Sequence, residues 1–358
     1  MDTTDPDIQF DENGISNHWY KYQEMAKKHL ADDVEMKRRL GVLVDQIKAD
    51  GKGKQYDCII GVSGGVDSTY VAYIVKELGL RPLAVHFDNG WNSELAVKNI
   101  EKILNTLNID LFTYVVDWEE FKDLQMAFLK ASTPDSEIPT DHSIIALLYQ
   151  LAAKYNIKYV LNGVNVKSES IMPIKWGYGY YDLTYIKDLQ KRFGTRKLKT
   201  LPTISLLKLA YYSKVKKIQF LPILNYVPYE KEDAMKLIKD KLGWIYYGGK
   251  HYESIYTRFF QSYILPNKFK IDKRRAHLSN LICSEQITRE EALEEIKKVT
   301  YDPLLMQEDK EYVIKKFGIT EEAFHDIMNR PTKIFLDYQN NFGFLQSIKK
   351  MINRCSGY

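Results

Sequence analysis

The chain has 358 residues, 45% hydrophobic and 27% charged, enough for one large or two ordinary domains with a real core. Lys+Arg number 51 against 47 for Asp+Glu, a formal net charge of +4, and so slight a basic excess argues against a dedicated nucleic-acid binder. The three cysteines, Cys58, Cys283 and Cys355, lie far apart, which suits a reducing cytosol rather than a disulfide framework. No apolar run approaches the ~20 residues of a membrane span, and the acidic start Met1-Asp2-Thr3-Thr4-Asp5 is no signal peptide. The expectation is a cytoplasmic protein with no membrane insertion. The 26 tyrosines offer rings for a sugar site, although aromatic residues mostly just pack.

Residues 1–20 form a polar arm in which Asn13-Gly14, between short β-prone pieces, predicts a small hairpin. Over 19–49 Met25, Leu30, Val34, Leu40, Val44 and Ile47 make an apolar stripe that predicts a helix. Gly51-Lys52-Gly53-Lys54 reads as a mobile basic linker whose lysines are simply solvated. The apolar run Asp57-Cys58-Ile59-Ile60-Gly61-Val62 then ends in Ser63-Gly64-Gly65-Val66-Asp67-Ser68, and Val71, Ala72, Ile74, Val75 and Leu78 follow at helical spacing. That is strand, tight turn, helix.

Gly64 and Gly65 leave backbone N–H groups of the turn open to an anion, the helix N-terminus adds about half a positive charge, and Ser63, Ser68 and Thr69 add hydroxyls. The turn reads as a phosphate cradle. No Lys follows the glycines, as a Walker A loop requires, and 61–65 does not fit G-x-G-x-x-G. Ser-Gly-Gly-x-Asp-Ser after a first strand instead resembles the PP-loop of ATP pyrophosphatases. Members of that family cleave ATP between the α and β phosphates to adenylate a substrate oxygen.

An α/β alternation follows: a strand over 82–87 ending in Asp88-Asn89-Gly90-Trp91, a helix through Ala96, Ile100, Ile103 and Leu107, a strand over 111–116 and a helix over 118–129. A helix from about Asp141 to Tyr155 leads into a strand over 158–161. This predicts an α/β fold, a parallel sheet with helices on both faces, followed by a mostly helical C-terminal region. Ligands in such sheets sit beyond the strand ends near the switch point, so 63–68, 88–91 and 162–165 should line one crevice. Past 165 the alternation fades into a Gly/Tyr loop at 176–182 and helical segments near 183–193 and 204–216. Thr288-x-x-Glu291 predicts a capping box, and Asp302-Pro303 and Thr320-Glu321-Glu322 further helix starts. The expected division is an arm and helix at 1–50, the ATP-binding domain at 51–235 and a helical substrate-binding region at 236–358.

The nucleotide set is Ser63, Gly64, Gly65, Asp67, Ser68, His86, Phe87, Asp88, Asn162 and Gly163. Asp67 faces the phosphate turn and makes sense once Mg2+ bridges it to polyphosphate, although an Asp at a helix N-terminus also satisfies the dipole. Asp88 reads either as a ribose contact or as a loop cap, and the backbone of 86–88 as an adenine edge. Asp141 with His142 suggests an N-cap or a substrate contact; Asn165, Tyr178 and Lys250 join them on the substrate side. His251 and Glu253 are acid/base or positioning candidates, and Arg258, Lys273 and Arg274 candidate pyrophosphate clamps, with a solvated basic face as the plain reading.

Asp2-Thr3-Thr4-Asp5-Pro6-Asp7-Ile8, the turn at 63–68, Pro139-Thr140-Asp141-His142, Gly249-Lys250-His251-Tyr252-Glu253-Ser254, Thr257-Arg258-Phe259 and Asp272-Lys273-Arg274-Arg275-Ala276-His277-Leu278-Ser279 recur in this order in another group. The whole chain thereby resembles the N-acetyl sugar amidotransferases of bacterial surface-polysaccharide pathways, of the WbpG type. The resemblance implies a PP-loop core, Mg·ATP, and conversion of an acetamido group on a nucleotide-activated or nine-carbon sugar into an acetamidino group, as in lipopolysaccharide O-antigen synthesis. It also implies a separate glutaminase subunit that supplies ammonia, with a cyclase-like companion; none of the three cysteines has a glutaminase context. The chain departs from the family at its start, where Ser16 and Trp19 stand at the positions of the second Cys-x-x-Cys pair and no first pair is present, so zinc is not expected. The rival readings are a tRNA-modifying PP-loop enzyme and a nucleotide-binding protein without turnover.

Overall fold

The computed structural model describes residues 1–249, 252–299 and 301–355, with side chains as far as 348. Two helices open the chain, α1 (Asn17–His29) and α2 (Asp33–Asp50). The alternation runs β1 (Cys58–Gly61), α3 (Val66–Glu77), β2 (Pro82–Asp88), α4 (Glu94–Leu107), β3 (Asp110–Val115), α5 (Trp118–Ala131), α6 (Ile138–Lys154) and β4 (Tyr159–Asn162). After α7 (Val166–Glu169), α8 (Leu183–Phe193) and α9 (Leu206–Ala210) comes β5 (Gln219–Pro222). Helices follow: α10 (Lys231–Leu242), α11 (Ile255–Phe259), α12 (Arg274–Cys283), α13 (Arg289–Lys297), α14 (Pro303–Phe317), α15 (Glu321–Asn329) and α16 (Phe342–Cys355).

All five strands are parallel, in the order β3-β2-β1-β4-β5. The chain moves outward from β1 to β3 and then returns to the other side of β1, so the C-terminal ends of β1 and β4 flank the switch point. The interior strands are continuous apolar runs because both faces are covered. On one face Cys58, Ile60, Ala84 and Leu161 meet Ile47 of α2, Val71 and Val75 of α3, Ile103 of α4 and Ile238 of α10. On the other, Ile59, Val85, Phe87 and Val160 meet Phe121 and Leu124 of α5 and Leu147 and Leu151 of α6. That second core runs on into the C-terminal helices through Tyr256, Phe259, Phe317 and Phe324.

Trp91 is the hub of the continuation. Its indole donates to Gln125 Oε1 at 2.7 Å, and its ring lies 5.1 Å from that of Tyr256 and 5.2 Å from that of Phe317. Lys316 of α14 donates to the Gly90 carbonyl, with its ammonium 4.8 Å above the Trp91 ring. The N-terminal arm is fastened at several points: His18 Nε2 to Asp5 at 2.6 Å, Lys175 to Asp7 at 2.7 Å, the Trp176 indole to Thr4 O at 3.3 Å, and Arg275 to Asp2. Phe10 and Ser16 form the single antiparallel bridge of the expected hairpin, with Gly14 at φ 76° in its turn, and Ser16 caps α1.

Several expectations need correction. The single helix over 19–49 is two, because the chain is extended at Leu30 and Asp32 caps a new start; Val34 is consequently 81% exposed. The segment 51–54 is a tied turn rather than a mobile linker. Arg81 donates to Lys54 O at 2.6 Å and Gly51 O at 2.8 Å while paired with Asp57, and Lys54 Nζ donates to Asn156 O at 2.7 Å. β5 was not expected; it is a four-residue edge strand ending in Pro222, too short to show alternation. At the other edge β3 leaves Leu111 and Val115 exposed. A division at 235/236 would cut α10, whose Ile238 and Leu242 belong to the core over the sheet. The capped starts at Thr288, Asp302 and Thr320 stand as expected.

One fully buried side chain joins the helical region to the β4 end of the sheet. Asn280 Oδ1 accepts from Ser170 N at 2.9 Å, Ile171 N at 3.0 Å and the Ser170 hydroxyl at 2.6 Å, and its Nδ2 donates to Val166 O at 2.9 Å. Asn280→Ala strands two amides and a carbonyl, at a cost of about 3 kcal/mol or more in urea-unfolding free energy. Asn280→Asp retains the acceptor and is expected to lose less.

Candidate functional site

β1 runs into the turn at 62–65, and α3 starts at Val66. Gly64 has φ +82°, and a Cβ there would lie 2.7 Å from Ala96 O, so α4 presses directly on the turn. A Cβ on Gly163 would lie 2.9 Å from Asp67 Cβ, which brings the end of β4 equally close to α3. Within the turn Gly65 N donates to Ser63 Oγ at 3.2 Å, and the Ser63 and Ser68 hydroxyls are 3.2 Å apart. The outer side is clasped by the segment after α10: Trp244 Nε1 donates to Gly64 O at 2.9 Å, and Ile245 exchanges two hydrogen bonds with the Asn99 side chain at 2.8 and 3.0 Å.

Two carboxylates flank the turn. Asp67, in the first turn of α3, accepts the hydroxyl of Tyr229. Glu253 reaches Gly65 because its backbone is paired to the loop after β2: Ser93 N donates to Glu253 O at 2.8 Å and Ile255 N to Trp91 O at 2.9 Å. The Tyr247 hydroxyl bonds the Glu253 carboxylate, and burial followed by the Glu253 charge pushes that phenol well above its usual range.

A cavity of about 710 Å³ opens beside the turn, walled by Ser63, Asp67, Ser68, Gly163, Asn165, Glu169, Tyr229 and Tyr247. A second, of about 570 Å³, lies across it and shares Ser63, Ser68, Glu169 and Glu253. Its lining mixes the apolar Val62, Val85, Phe87, Ile144, Leu148 and Met172 with the polar Glu137, Thr140, Asp141, Gln261, Lys273 and His277. Apolar side chains of this kind suit a flat base, the polar ones a polar group, and the phosphate-type turn contributes Ser63 and Ser68 to the same lining.

Of the expected nucleotide residues, Ser63, Gly65, Asp67, Ser68, His86, Phe87 and Gly163 wall these cavities. His86 is held by Val62 O at 3.0 Å on Nδ1 and by the Asn92 amide at 3.2 Å on Nε2. Asp88 caps its own loop, accepting Gly90 N at 2.9 Å, and Asn162 accepts Val164 N at 3.1 Å; neither side chain walls a cavity. Asn165 lines the first cavity while capping α7 through Ser168 N at 2.9 Å.

The remaining candidates divide. α6 starts at Ile138 with Pro139 in its first turn, so Asp141 is not the N-cap; it stands at the cavity wall, accessible from there but otherwise ringed by protein. His142 is spent inside the fold: Nδ1 donates to Tyr180 O at 2.7 Å and Nε2 accepts Ile204 N at 3.1 Å. Tyr178 stacks on Phe335 with centroids 4.0 Å apart and donates to Asp182 at 2.9 Å, away from these cavities. Arg258 is no open clamp, since Nε and Nη2 grip Asp309 at 2.6 and 2.7 Å. Arg274 closes on Asp272 and on the carbonyls of Glu295, Ile296 and Lys298, finishing α13. Both arginines line a third cavity of about 470 Å³, which also touches Lys273 and His277. Lys250 and His251 lie outside the described residues. Tyr229, Trp244, Tyr247 and Glu169 were missed; the one signal was the aromatic run Trp244-Ile245-Tyr246-Tyr247 just before Gly248-Gly249.

Lys273 faces carboxylates rather than the turn. Glu137 lies 3.6 Å away and also accepts Gln261 at 2.8 Å. Burial opposes the ammonium charge, but Glu137, Asp135 and Asp141 outweigh it and hold its pKa above the usual value. Burial pushes Asp135 up to about 6 against the pull of Lys273, and pushes Asp141 well up with help from Asp135 and Glu137. An acid with a raised folded pKa costs stability that appears as pH rises through that pKa. Lys273→Met is therefore expected to lower stability on the order of 2 kcal/mol more at pH 8 than at pH 5, where Asp135 already carries its proton, read from unfolding curves at both pH values.

This strand, turn and helix at the switch point of a parallel sheet, with amides, hydroxyls and one Asp around a phosphate-sized mouth, define a PP-loop protein. Residues 36–204 match the NAD synthase family, and residues 253–352 match the family described as LPS biosynthesis protein WbpG-like, C-terminal domain. The chain is thus similar to NAD synthases over its nucleotide-binding part and to WbpG-like proteins over its C-terminal part. Among curated relatives it is 27% identical over 131 residues to an uncharacterised protein of Methanocaldococcus jannaschii, covering 36% of this chain and 45% of that one. It is 29% identical over 136 residues to 7-cyano-7-deazaguanine synthase of Sulfurimonas denitrificans (34% and 59%), and 34% over 67 residues to tRNA(Ile)-lysidine synthase of Chlamydia pneumoniae (18% and 21%). The chain spans less than two thirds of the length of each. Among solved structures, NH3-dependent NAD synthetase from Campylobacter jejuni is 18% identical, with 81% of this chain and 98% of that one covered at a TM-score of 0.32. NMN synthetase from Francisella tularensis is 15% identical, with 76% and 99% covered at 0.31.

Proposed function

We propose that the chain is an ATP-dependent, AMP-forming amidotransferase that turns the acetamido group of an N-acetylated, nucleotide-linked sugar into an acetamidino group for lipopolysaccharide or related surface-polysaccharide synthesis. One observation carries the reading. Residues of the WbpG-like part, Glu253, Ser254, Thr257, Gln261, Lys273 and His277, wall the same cavity as Ser63, Ser68 and Phe87 of the PP-loop part. An acceptor held by the first set lies beside a nucleotide held by the second.

An amide oxygen is a poor leaving group. Its attack on the α-phosphorus of ATP forms the O–P bond of an O-adenylyl imidate and breaks the bond to pyrophosphate. Ammonia then adds to the imidate carbon, AMP leaves with the former amide oxygen, and a proton lost from nitrogen completes the amidine. The residues of this chain position the partners in line and stabilise charge on the departing pyrophosphate, through the amides of the turn, the Ser63 and Ser68 hydroxyls and the N-terminus of α3. Asp67 fits a Mg2+ role, because that ion takes one or two carboxylates and completes its shell with phosphate oxygens and water. Bound there, Mg2+ would neutralise the polyphosphate against the Asp67 carboxylate.

The nitrogen source is proposed to be a separate glutaminase, with or without a cyclase-like companion. Cys58 is fully buried in β1, where desolvation and then Asp57 push its thiol far up, and Cys283 is likewise pushed up by burial, so neither is poised as a thiolate. No helix among the described residues is long and apolar enough to cross a membrane, which agrees with a cytoplasmic site of action.

The test is a screen of UDP-linked and free acetamido sugars for AMP release, with ammonium or glutamine as the nitrogen source. Sugar-dependent AMP is expected with ammonium and not with glutamine until the partner is added. AMP release that depends on tRNA and on no sugar would sink the reading. Asp67→Ala is expected to lower turnover by about 10²–10³-fold with circular dichroism unchanged, the scale of one electrostatic group.

A further inference from the structure

Asp67 sits in a mouth where its main chain is fixed but its carboxylate still has two torsions. The main chain is fixed by the first turn of α3 and by the close approach of Gly163. Mg2+ accepts little angular error, so a carboxylate serving it must be held from outside. The Tyr229 hydroxyl makes that contact.

Tyr229 is well placed to hold rather than follow. It is 4% exposed and precedes Glu230, the residue that opens α10. Glu230 pairs with Lys167 of α7 at 3.0 Å, and the Tyr229 ring rests on Tyr70 of α3 at 5.6 Å between centroids. Ile238 and Leu242 of α10 share one core with Val71 and Val75 of α3, so the phenol and the carboxylate ride on two helices packed together.

We propose that Tyr229 is a positioning residue for Asp67, its hydroxyl holding the carboxylate in the orientation that takes Mg2+ on a bound nucleotide. The inference rests on the Mg·ATP part of the proposed function and needs no knowledge of the sugar. A role through Asp67 and a general structural role part company in a double-mutant cycle.

The full chain is titrated calorimetrically with Mg·ATP, and with ATP in excess EDTA, as wild type, Tyr229→Phe, Asp67→Asn and the double variant. Tyr229→Phe is expected to weaken Mg·ATP about tenfold while leaving metal-free ATP within about twofold, the scale of losing a partner that orients a metal ligand. In the Asp67→Asn background it is expected to add nothing. Tyr229→Phe keeps the ring that rests on Tyr70; any loss of folded protein would lower both titrations alike and leave their ratio untouched. An equal loss for Mg·ATP and metal-free ATP, or full additivity in the double variant, would overturn the inference alone. A wild-type protein that binds no Mg·ATP would overturn the nucleotide reading, and this inference with it.

Discussion

A turn with no room for side chains stands at the centre of this molecule. Gly64 brings the loop after β1 against Ala96 of α4, and Gly163 brings the end of β4 against Asp67 of α3. Both contacts are closer than any other residue permits, and both lie beyond the C-terminal ends of β1 and β4, at the switch point of the sheet. Once they are made, the amides at the start of α3 face a shared mouth, and Ser63, Asp67 and Ser68 are delivered to its rim. Trp244, bonded to Gly64 O, closes the turn on the outside. The site is thus a consequence of backbone packing first and side-chain chemistry second.

The electrostatics of the adjoining cavity are polarised. The PP-loop end offers the partial positive charge of the α3 N-terminus. Glu137 and Asp141 of its wall, with Asp135 behind, gather around Lys273, and burial makes Asp135 a weak acid. Arg258 and Arg274, which composition would assign to anions, are instead consumed by Asp309 and Asp272. Positive charge available to a ligand is therefore less than a count of the C-terminal basic residues suggests, and the turn itself carries more of the task of holding phosphate.

How much of this was legible depends on how local the cause is. Ser63-Gly64-Gly65-Val66-Asp67-Ser68 declares its turn because glycines, hydroxyls and the flanking periodicities all lie within a dozen residues. The same holds for β1 to β4, for α8 at 183–193, and for the capped starts at Thr288, Asp302 and Thr320. The misreadings share the opposite feature. His142 looked like a substrate contact because its partners, Tyr180 O and Ile204 N, are distant in sequence. Arg258 looked free because Asp309 lies 51 residues on. Tyr229 carries no motif, and Tyr247 only the aromatic run before Gly248-Gly249; Tyr229 becomes a site residue because α10, which follows it, packs on α3. The break between α1 and α2 was hidden by an apolar stripe that continues across it, although Asp32 is a good cap.

The seam between the two family-matched parts explains why the site belongs to neither alone. Asn92 and Ser254 form an antiparallel bridge, flanked by the bonds from Ser93 N to Glu253 O and from Ile255 N to Trp91 O. This short pairing threads the start of the helical region through the loop after β2 and sets Glu253 against Gly65. Next to it Trp91 packs against Tyr256, tilted, and against Phe317, edge to face, and Lys316 caps the Gly90 carbonyl. A shift of α11 or α14 relative to the sheet would have to break the bridge and unpack the indole together. The wall that carries Gln261, Lys273 and His277 is accordingly registered to the wall that carries Ser63 and Phe87 by a buried aromatic contact and two backbone hydrogen bonds, rather than by a surface that can slide. The end of β2 and the loop after it supply both Phe87 to the cavity wall and the partner that Glu253 pairs with, so eleven residues, 87–93 and 253–256, join the two family-matched parts at the cavity.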